Sequence, residues 1–292
     1  MQSGNTVEPH KSLMQSHLSL ARISNTPTVV SNVMAGVALA TVLKLEWMVV
    51  ALCIAMALFY TAGMYLNDIL DLEIDKQQRP DRPIPSGAVS LSTAWIVTIV
   101  LFVIGLALVI PAGMPAVIAS IVLIACIAVY DAWHKGNPIG PLFMGGTRVL
   151  VYVVAFLAFS TNWTTEATLW CIAMLVYVAG LTSIAKTEHG PAGIRYWPVA
   201  SLFVPPVLAL AREINFGTVI LSVLLVVWIA FSLTFVFDKD RRSIGRSIAQ
   251  LIAGIALVDA LVLATHEAWW GVGIAIVAFA ATVYLQRWVR GT

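Results

Sequence analysis

Ten stretches of the chain are apolar for long enough to cross a bilayer, at about 27–43, 47–67, 92–110, 114–133, 139–159, 168–186, 196–211, 216–237, 245–265 and 268–288. Such a series predicts an all-helical bundle, because in lipid each span must satisfy its own backbone hydrogen bonds. The seventh stretch is short and carries Pro205-Pro206, so it is expected to be kinked or buried among its neighbours, leaving nine to ten crossings. Residues 1–26 form a polar segment ahead of the first span, and residues 27–288 form one membrane domain. No small-residue cleavage pattern accompanies Arg22 and the first apolar run, which therefore reads as mature protein.

Composition agrees with lipid as the solvent. Of 292 residues 60% are apolar and only 11% charged, against roughly 25% charged in a soluble domain. The net charge of +2 is too small and too scattered for a nucleic-acid partner. Cys53, Cys126 and Cys171 form no CxxC pair and lie in apolar runs, so neither a disulfide framework nor a zinc site is expected.

Charge also orients the bundle. With ten spans, 14 of the 17 Lys and Arg residues fall on one side of the membrane and only Lys44 and Arg212 on the other, Arg148 lying within a span. Basic loops collect in the cytoplasm, so both termini are expected there. The long polar loops 68–91 and 186–196 fall on the same side, and function is expected on that face. Their placement after spans two and six hints at a repeated four-span unit.

The chemistry concentrates where the second span meets the cytoplasm, in Asn67-Asp68-Ile69-Leu70-Asp71-Leu72-Glu73-Ile74-Asp75. At about 100° per residue, Asp68, Asp71 and Asp75 stack on one helical face bordered by Asn67, whereas Glu73 points away. Such like charges repel, so something positive belongs among them. Oxygen ligands on one rigid face suit Mg²⁺, which completes its octahedron with water and substrate phosphates. Three acids alone fit a solvated helix end better. The next segment changes that balance, since Arg79-Pro80-Asp81-Arg82-Pro83-Ile84-Pro85-Ser86-Gly87 supplies cations in a proline-stiffened loop suited to an anion.

Asn67-Asp68-x-x-Asp71-x-x-x-Asp75 followed by Arg82-Pro83-x-Pro85-Ser86-Gly87 resembles the first signature of the UbiA superfamily of intramembrane prenyltransferases. The resemblance runs from about Arg22 to residue 190. It implies a helical bundle around a lipid-accessible cavity, Mg²⁺ as cofactor, a polyprenyl diphosphate donor and a small lipophilic acceptor. Tyr130 and Lys135 resemble the family's Tyr and basic residues after the fourth span. Gly140-Pro141-Leu142-x-Met144-Gly145-x-x-Arg148, Tyr177-Val178-Ala179-Gly180 and Lys186-Thr187-Glu188-x-Gly190 are most similar to the EboC-like branch. The resemblance assigns Asn67, Asp68, Asp71, Asp75 and Tyr130 to catalysis. Metal would be held by Asp68, Asp71, Asp75 and Glu188, and diphosphate by Arg79, Arg82, Lys135, Arg148 and Lys186.

The chain departs from that pattern after the sixth span, where the family usually carries several Asp residues. Here the region reads Ala185-Lys186-Thr187-Glu188-His189. Only Glu188 offers a carboxylate, and Lys186 would meet a phosphate oxygen directly. An intramembrane terpene cyclase, which ionises the same diphosphate without an acceptor, is therefore a rival reading. A transporter is a rival of another class, although transporters place ionisable groups near the midplane rather than at a helix end.

Other polar residues carry two readings. Arg148 lies about two turns inside the fifth span and either faces the pocket or pairs structurally with Asp259. Asp259, nearer the outer end of its span, is expected to be structural and partly hydrated. Asn32 and Gln250 are expected to bond between helices. The histidines lack metal-ligand spacing, and the Trp and Tyr residues are assigned to interfacial belts and packing.

Overall fold

The computed structural model describes residues 13–133, 136–188, 196–238 and 242–288. Thirteen α-helices occur among them and no strand. An amphipathic α1 (Leu13–Leu20) precedes α2 (Pro27–Ala40), α3 (Trp47–Leu70), the short α4 (Leu72–Gln78), α5 (Leu91–Val109), α6 (Met114–Trp133), α7 (Gly140–Leu157) and α8 (Thr165–Ala185). The chain continues through α9 (Tyr196–Ser201), α10 (Val204–Arg212), α11 (Phe216–Phe237), α12 (Ile244–Thr265) and α13 (Trp269–Leu285). Side-chain caps start several of them: the hydroxyls of Ser90 and Thr164 accept N–H bonds from Thr93 and Ala167, and Asn215 forms a capping box with Thr218.

Each apolar stretch of the sequence is helical, but among the described residues seven helices are both long and apolar enough to cross a membrane by themselves. α13 has 17 residues and α2 only 14. The 196–211 stretch is two short helices broken at Leu202 and Phe203, with Pro205 and Pro206 in the first turn of α10, where a missing N–H leaves no intrahelical bond unmade. Backbone stiffness thus divides a segment whose hydropathy alone reads as a single span.

α12 is the most enclosed element. It packs against α2, α8, α11 and α13, and 78% of its most apolar window is buried against 22% for α5. α5 instead turns Ile96, Ile99 and Val103 outward, which suits a lipid-facing helix. Close approach of α2 to α7 requires a glycine: a Cβ on Gly36 would stand 2.7 Å from the Ala155 Cβ and 2.8 Å from the Tyr152 carbonyl oxygen. That approach brings the polar side chains of α2 and α7 within reach of each other and of α12.

Candidate active site

The α3 helix continues its hydrogen-bond ladder across a shallow break at Asp71 (φ −86°, ψ −3°). Asp71 N–H donates to the Asn67 carbonyl and Asp75 N–H to the Asp71 carbonyl, both at 2.9 Å. The break leaves the one-face arrangement intact. Asp68, Asp71 and Asp75 are all buried, while Glu73 is exposed and pairs with Lys76 at 2.7 Å. At separations of roughly 6 Å and an effective dielectric of about 20, each carboxylate pair repels by roughly 3 kcal/mol, so the cluster needs cations.

Two arginines meet that need. In the loop after α4, Ile84 and Val89 are buried against Leu20, Tyr65 and Ala94, and Gly87 takes a positive φ of 77° that closes the turn. This anchoring holds Arg82 Nη1 at 2.6 Å from Asp75 Oδ2 and 3.3 Å from Asp68 Oδ1. Arg22, held in the left-handed region (φ 41°, ψ 47°), reaches Asn67 Oδ1 and Asp68 Oδ1, both at 3.3 Å. A non-glycine residue there costs backbone energy, and its side chain is what the strain delivers to the acids. Asn67 then links onward, its amide donating to Asp131 Oδ1 at 3.2 Å.

A cavity of about 300 Å³ opens beneath this cluster. Gly63 and Met64, one turn before Asn67 and Asp68, line it, as do Arg22, Tyr130, Asp131 and Arg148; most of the remaining wall is apolar. Arg148 is buried and donates from Nη1 to Asn32 Oδ1 at 2.9 Å, with the Tyr60 ring 5.7 Å away. Asn32 in turn donates to both oxygens of Asp259 at 2.8 Å. Ser31 and Tyr152 donate to the same carboxylate at 2.5 and 2.6 Å.

A polar cluster at the end of α3 thus adjoins a largely apolar cavity. Residues 29–251 match the UbiA prenyltransferase family. The chain belongs to that family. Digeranylgeranylglyceryl phosphate synthase of Saccharolobus solfataricus is 28% identical over 85% of this chain and 95% of its own length. A shorter match, 34% identical over 28% of this chain and 20% of the relative, is to the chloroplastic 2-acylphloroglucinol 4-prenyltransferase of Humulus lupulus. In fold, the apo UbiA homologue of Aeropyrum pernix superposes with a TM-score of 0.69 at 18% identity, over 82% of this chain and 97% of that one. A homologue from Archaeoglobus fulgidus bound to GPP and Mg²⁺ gives 0.60 at 15% identity, covering 88% and 99%. As a UbiA family member the protein is a membrane prenyltransferase.

Against the UbiA signature, the structure brings together Asn67, Asp68, Asp71, Asp75 and Arg82 and places Tyr130 in the cavity wall. Arg79 ends α4 exposed, outside the acid cluster. Arg148 lies on the cavity wall and belongs to the Asp259 network, so its two readings hold together. Asp259 itself is fully buried, which corrects the expectation of partial hydration: four hydrogen bonds from three side chains take the place of water. The expected interhelical role fits Asn32; at Gln250 the interhelical bond uses the backbone, whose carbonyl accepts from the Trp228 indole. Lys135 and the side chain of Glu188 lie outside the described residues.

Arg22 and Asp131 are functional candidates that sequence reasoning passed over. Arg22 counted only as a topological charge, and Asp131 stood in the shadow of Tyr130; a carboxylate at the end of an otherwise apolar helix was the available signal for the second. The donor set fits Mg²⁺ in kind, being hard carboxylate oxygens in a buried cluster whose three aspartates outnumber its two arginines. Among the described residues no group of three or more acidic, His or Cys side chains is placed to hold a metal ion by itself, so these carboxylates would supply only part of an ion's coordination, with water and phosphate completing it.

Lys186 caps α8 just beyond Ala185, itself part of the cavity wall, and its ammonium donates to the Asn137 carbonyl across the mouth. Desolvation lowers its pKa from the usual lysine value. Lys186→Ala is expected to weaken geranyl diphosphate binding about tenfold, the scale of one charge-assisted contact. With the ammonium losing its proton below the ordinary lysine range, wild-type affinity should decline as pH rises through that lowered value, and Lys186→Arg should hold it. A titration in which Lys186→Asp at high Mg²⁺ binds better than wild type would show a degraded two-metal site instead.

Proposed function

We propose that the protein transfers a polyprenyl group from its diphosphate to a small lipophilic acceptor at the cytoplasmic face of the membrane. The observation that carries this is the buried Asp68–Asp71–Asp75 cluster, in which Arg82 bridges Asp68 and Asp75 while Arg22 joins Asp68 to the wall of a largely apolar cavity. Asp68, Asp71, Asp75 and Glu188 would hold the metal, with Arg82, Lys135 and Lys186 on the diphosphate and Arg79 at its outer edge. Bound Mg²⁺ supplies Lewis-acid neutralisation of the charge on the departing diphosphate. Arg22 and Arg82 add preorganised N–H donors to the same charge. The C1–O bond of the donor breaks with its electron pair leaving on diphosphate, the acceptor atom bonds to C1, and a proton leaves the acceptor. The apolar wall below keeps water from the allylic carbon meanwhile.

The named relatives act on chemically different acceptors, a glyceryl phosphate lipid and an acylphloroglucinol by their names, so the acceptor class is open at this level. Ala185 in the cavity wall, where the family carries an acid, permits the cyclase as a second reading. Purified protein incubated with labelled geranyl, farnesyl and geranylgeranyl diphosphates and a host lipid extract separates them by mass spectrometry. A prenylated lipid supports transfer, whereas diphosphate release with a cyclic hydrocarbon supports the cyclase. Orientation has its own check: with the basic loops inside, a reporter fused after Thr292 is expected on the cytoplasmic side, and an external signal would overturn the ten-span reading.

A further inference from the structure

The cavity has a floor. On α3, α6, α7, α8 and α12 the lining residues stop near the middle of each helix, at Met56, Leu123, Val151, Val178 and Ile255, all of them buried. Phe59, one turn from Met56 on α3, is the bulkiest apolar side chain at that level and is itself buried. Its ring is backed by α5 at a position without a side chain: a Cβ on Gly105 would stand 2.5 Å from Phe59 Cε1 and 2.8 Å from Cδ1. The Phe102 ring, 6.1 Å away and tilted by 42°, neighbours it on the same helix. Phe59 is thus seated between α5 and the cavity, with no space behind it into which the ring could retreat.

A floor makes volume a selector. At interior packing density a hydrocarbon carbon with its hydrogens fills about 25 Å³, so the 300 Å³ of this cavity holds roughly twelve carbons. The ten carbons of a geranyl tail fit, whereas the twenty of a geranylgeranyl tail would need about 500 Å³. Forcing the surplus against a close-packed floor displaces side chains from their rotamers, which is costly. We propose that Phe59, seated on Gly105, gauges the length of the donor tail, and that the donor is a short prenyl diphosphate, geranyl being preferred to geranylgeranyl. Removing the Phe59 ring frees roughly 100 Å³, close to the room taken by one five-carbon isoprene unit. This inference deepens the prenyl-transfer reading and rests on its placement of the diphosphate at the mouth.

The test uses the full-length protein in detergent with Mg²⁺ and two series of probes, the geranyl, farnesyl and geranylgeranyl thiodiphosphates and the three matching alcohols. Wild type is expected to bind the geranyl compound at least tenfold more tightly than the geranylgeranyl one in each series. Phe59→Ala should move the optimum to farnesyl and raise the affinity for geranylgeranyl relative to geranyl at least tenfold, a comparison between variants in which partition into micelles cancels. Gly105→Ala, which drives the ring into the cavity, should penalise farnesyl more than geranyl, and adding Phe59→Leu to it should reverse that penalty. Pyrophosphate occupies only the mouth, so its affinity should stay within twofold throughout, whereas a merely structural role for Phe59 or Gly105 would weaken every ligand together. Should Phe59→Ala not fold, Phe59→Leu decides by the same ratio. Wild-type binding of geranylgeranyl compounds as tight as that of geranyl ones, or a ratio unchanged in the Phe59 variants, would overturn the proposal. Thiodiphosphates that bind no better than the alcohols would sink the donor reading, while the order of chain lengths among the alcohols still judges Phe59. Failure of both series to bind would overturn both.

Discussion

Asp71→Ala is expected to abolish Mg²⁺-dependent binding of geranyl diphosphate, and Glu73→Ala to leave it within twofold. The two acids are two residues apart in the sequence but occupy different surroundings. Asp71 is buried at the break between α3 and α4, on the face shared with Asp68 and Asp75, whereas Glu73 is exposed and engaged only with Lys76. An exposed pair of that kind contributes little, but a carboxylate taken from the donor set of a hard cation removes a ligand that water replaces poorly in a buried pocket. Turnover should fall by roughly 10²–10³, the scale of losing one electrostatic element of a preorganised site. Titration calorimetry with Mg²⁺ and with EDTA reads the binding; equal losses in the two variants would sink the one-face arrangement.

What could be read from the sequence follows from how local each relation is. The face shared by Asp68, Asp71 and Asp75 depends only on helical period, and Arg82 reaches Asp68 across 14 positions through a loop whose prolines announce its stiffness. Arg22 reaches the same carboxylate from 46 positions away and Asp131 meets Asn67 across 64, distances over which neither periodicity nor charge spacing carries information. Arg148 shows the limit most clearly. Its depth in α7 was legible, but its neighbours come from α2, which approaches because Gly36 lacks a side chain. The spans were legible as apolar runs, and the division of 196–211 was signalled by Pro205-Pro206 without the sequence saying which side of them the helix would break.

Asp259→Leu is expected to destabilise the protein more than any substitution at the mouth. Ser31, Asn32 and Tyr152 all donate to this one carboxylate, and Arg148 leans on it through Asn32. Removing the acceptor orphans three buried donors and leaves a buried guanidinium without its counter-charge, a loss of about 3–5 kcal/mol. In detergent this should lower Tm by roughly 10 °C at the sensitivity of a chain this size. Asp259→Asn, which still accepts from Ser31 and Tyr152, should recover part of the loss. A shift within about 2 °C for Asp259→Leu would mean that the network does not hold the bundle together.

The enclosure of α12 bears on how the chain reaches the membrane. A lone acid at the middle of an inserting segment costs about 2.5–3.5 kcal/mol at the translocon, falling toward the interfaces. Asp259 therefore burdens α12 for as long as that helix is surrounded only by lipid. Its hydrogen-bond donors lie on α2 and α7, which are synthesised more than a hundred residues earlier. The groups that receive Asp259 are thus already in the bilayer when α12 leaves the ribosome. Biogenesis proceeds from a waiting polar cradle to the helix that fills it, and a chain rearranged to place α12 first would have to insert its acid without help.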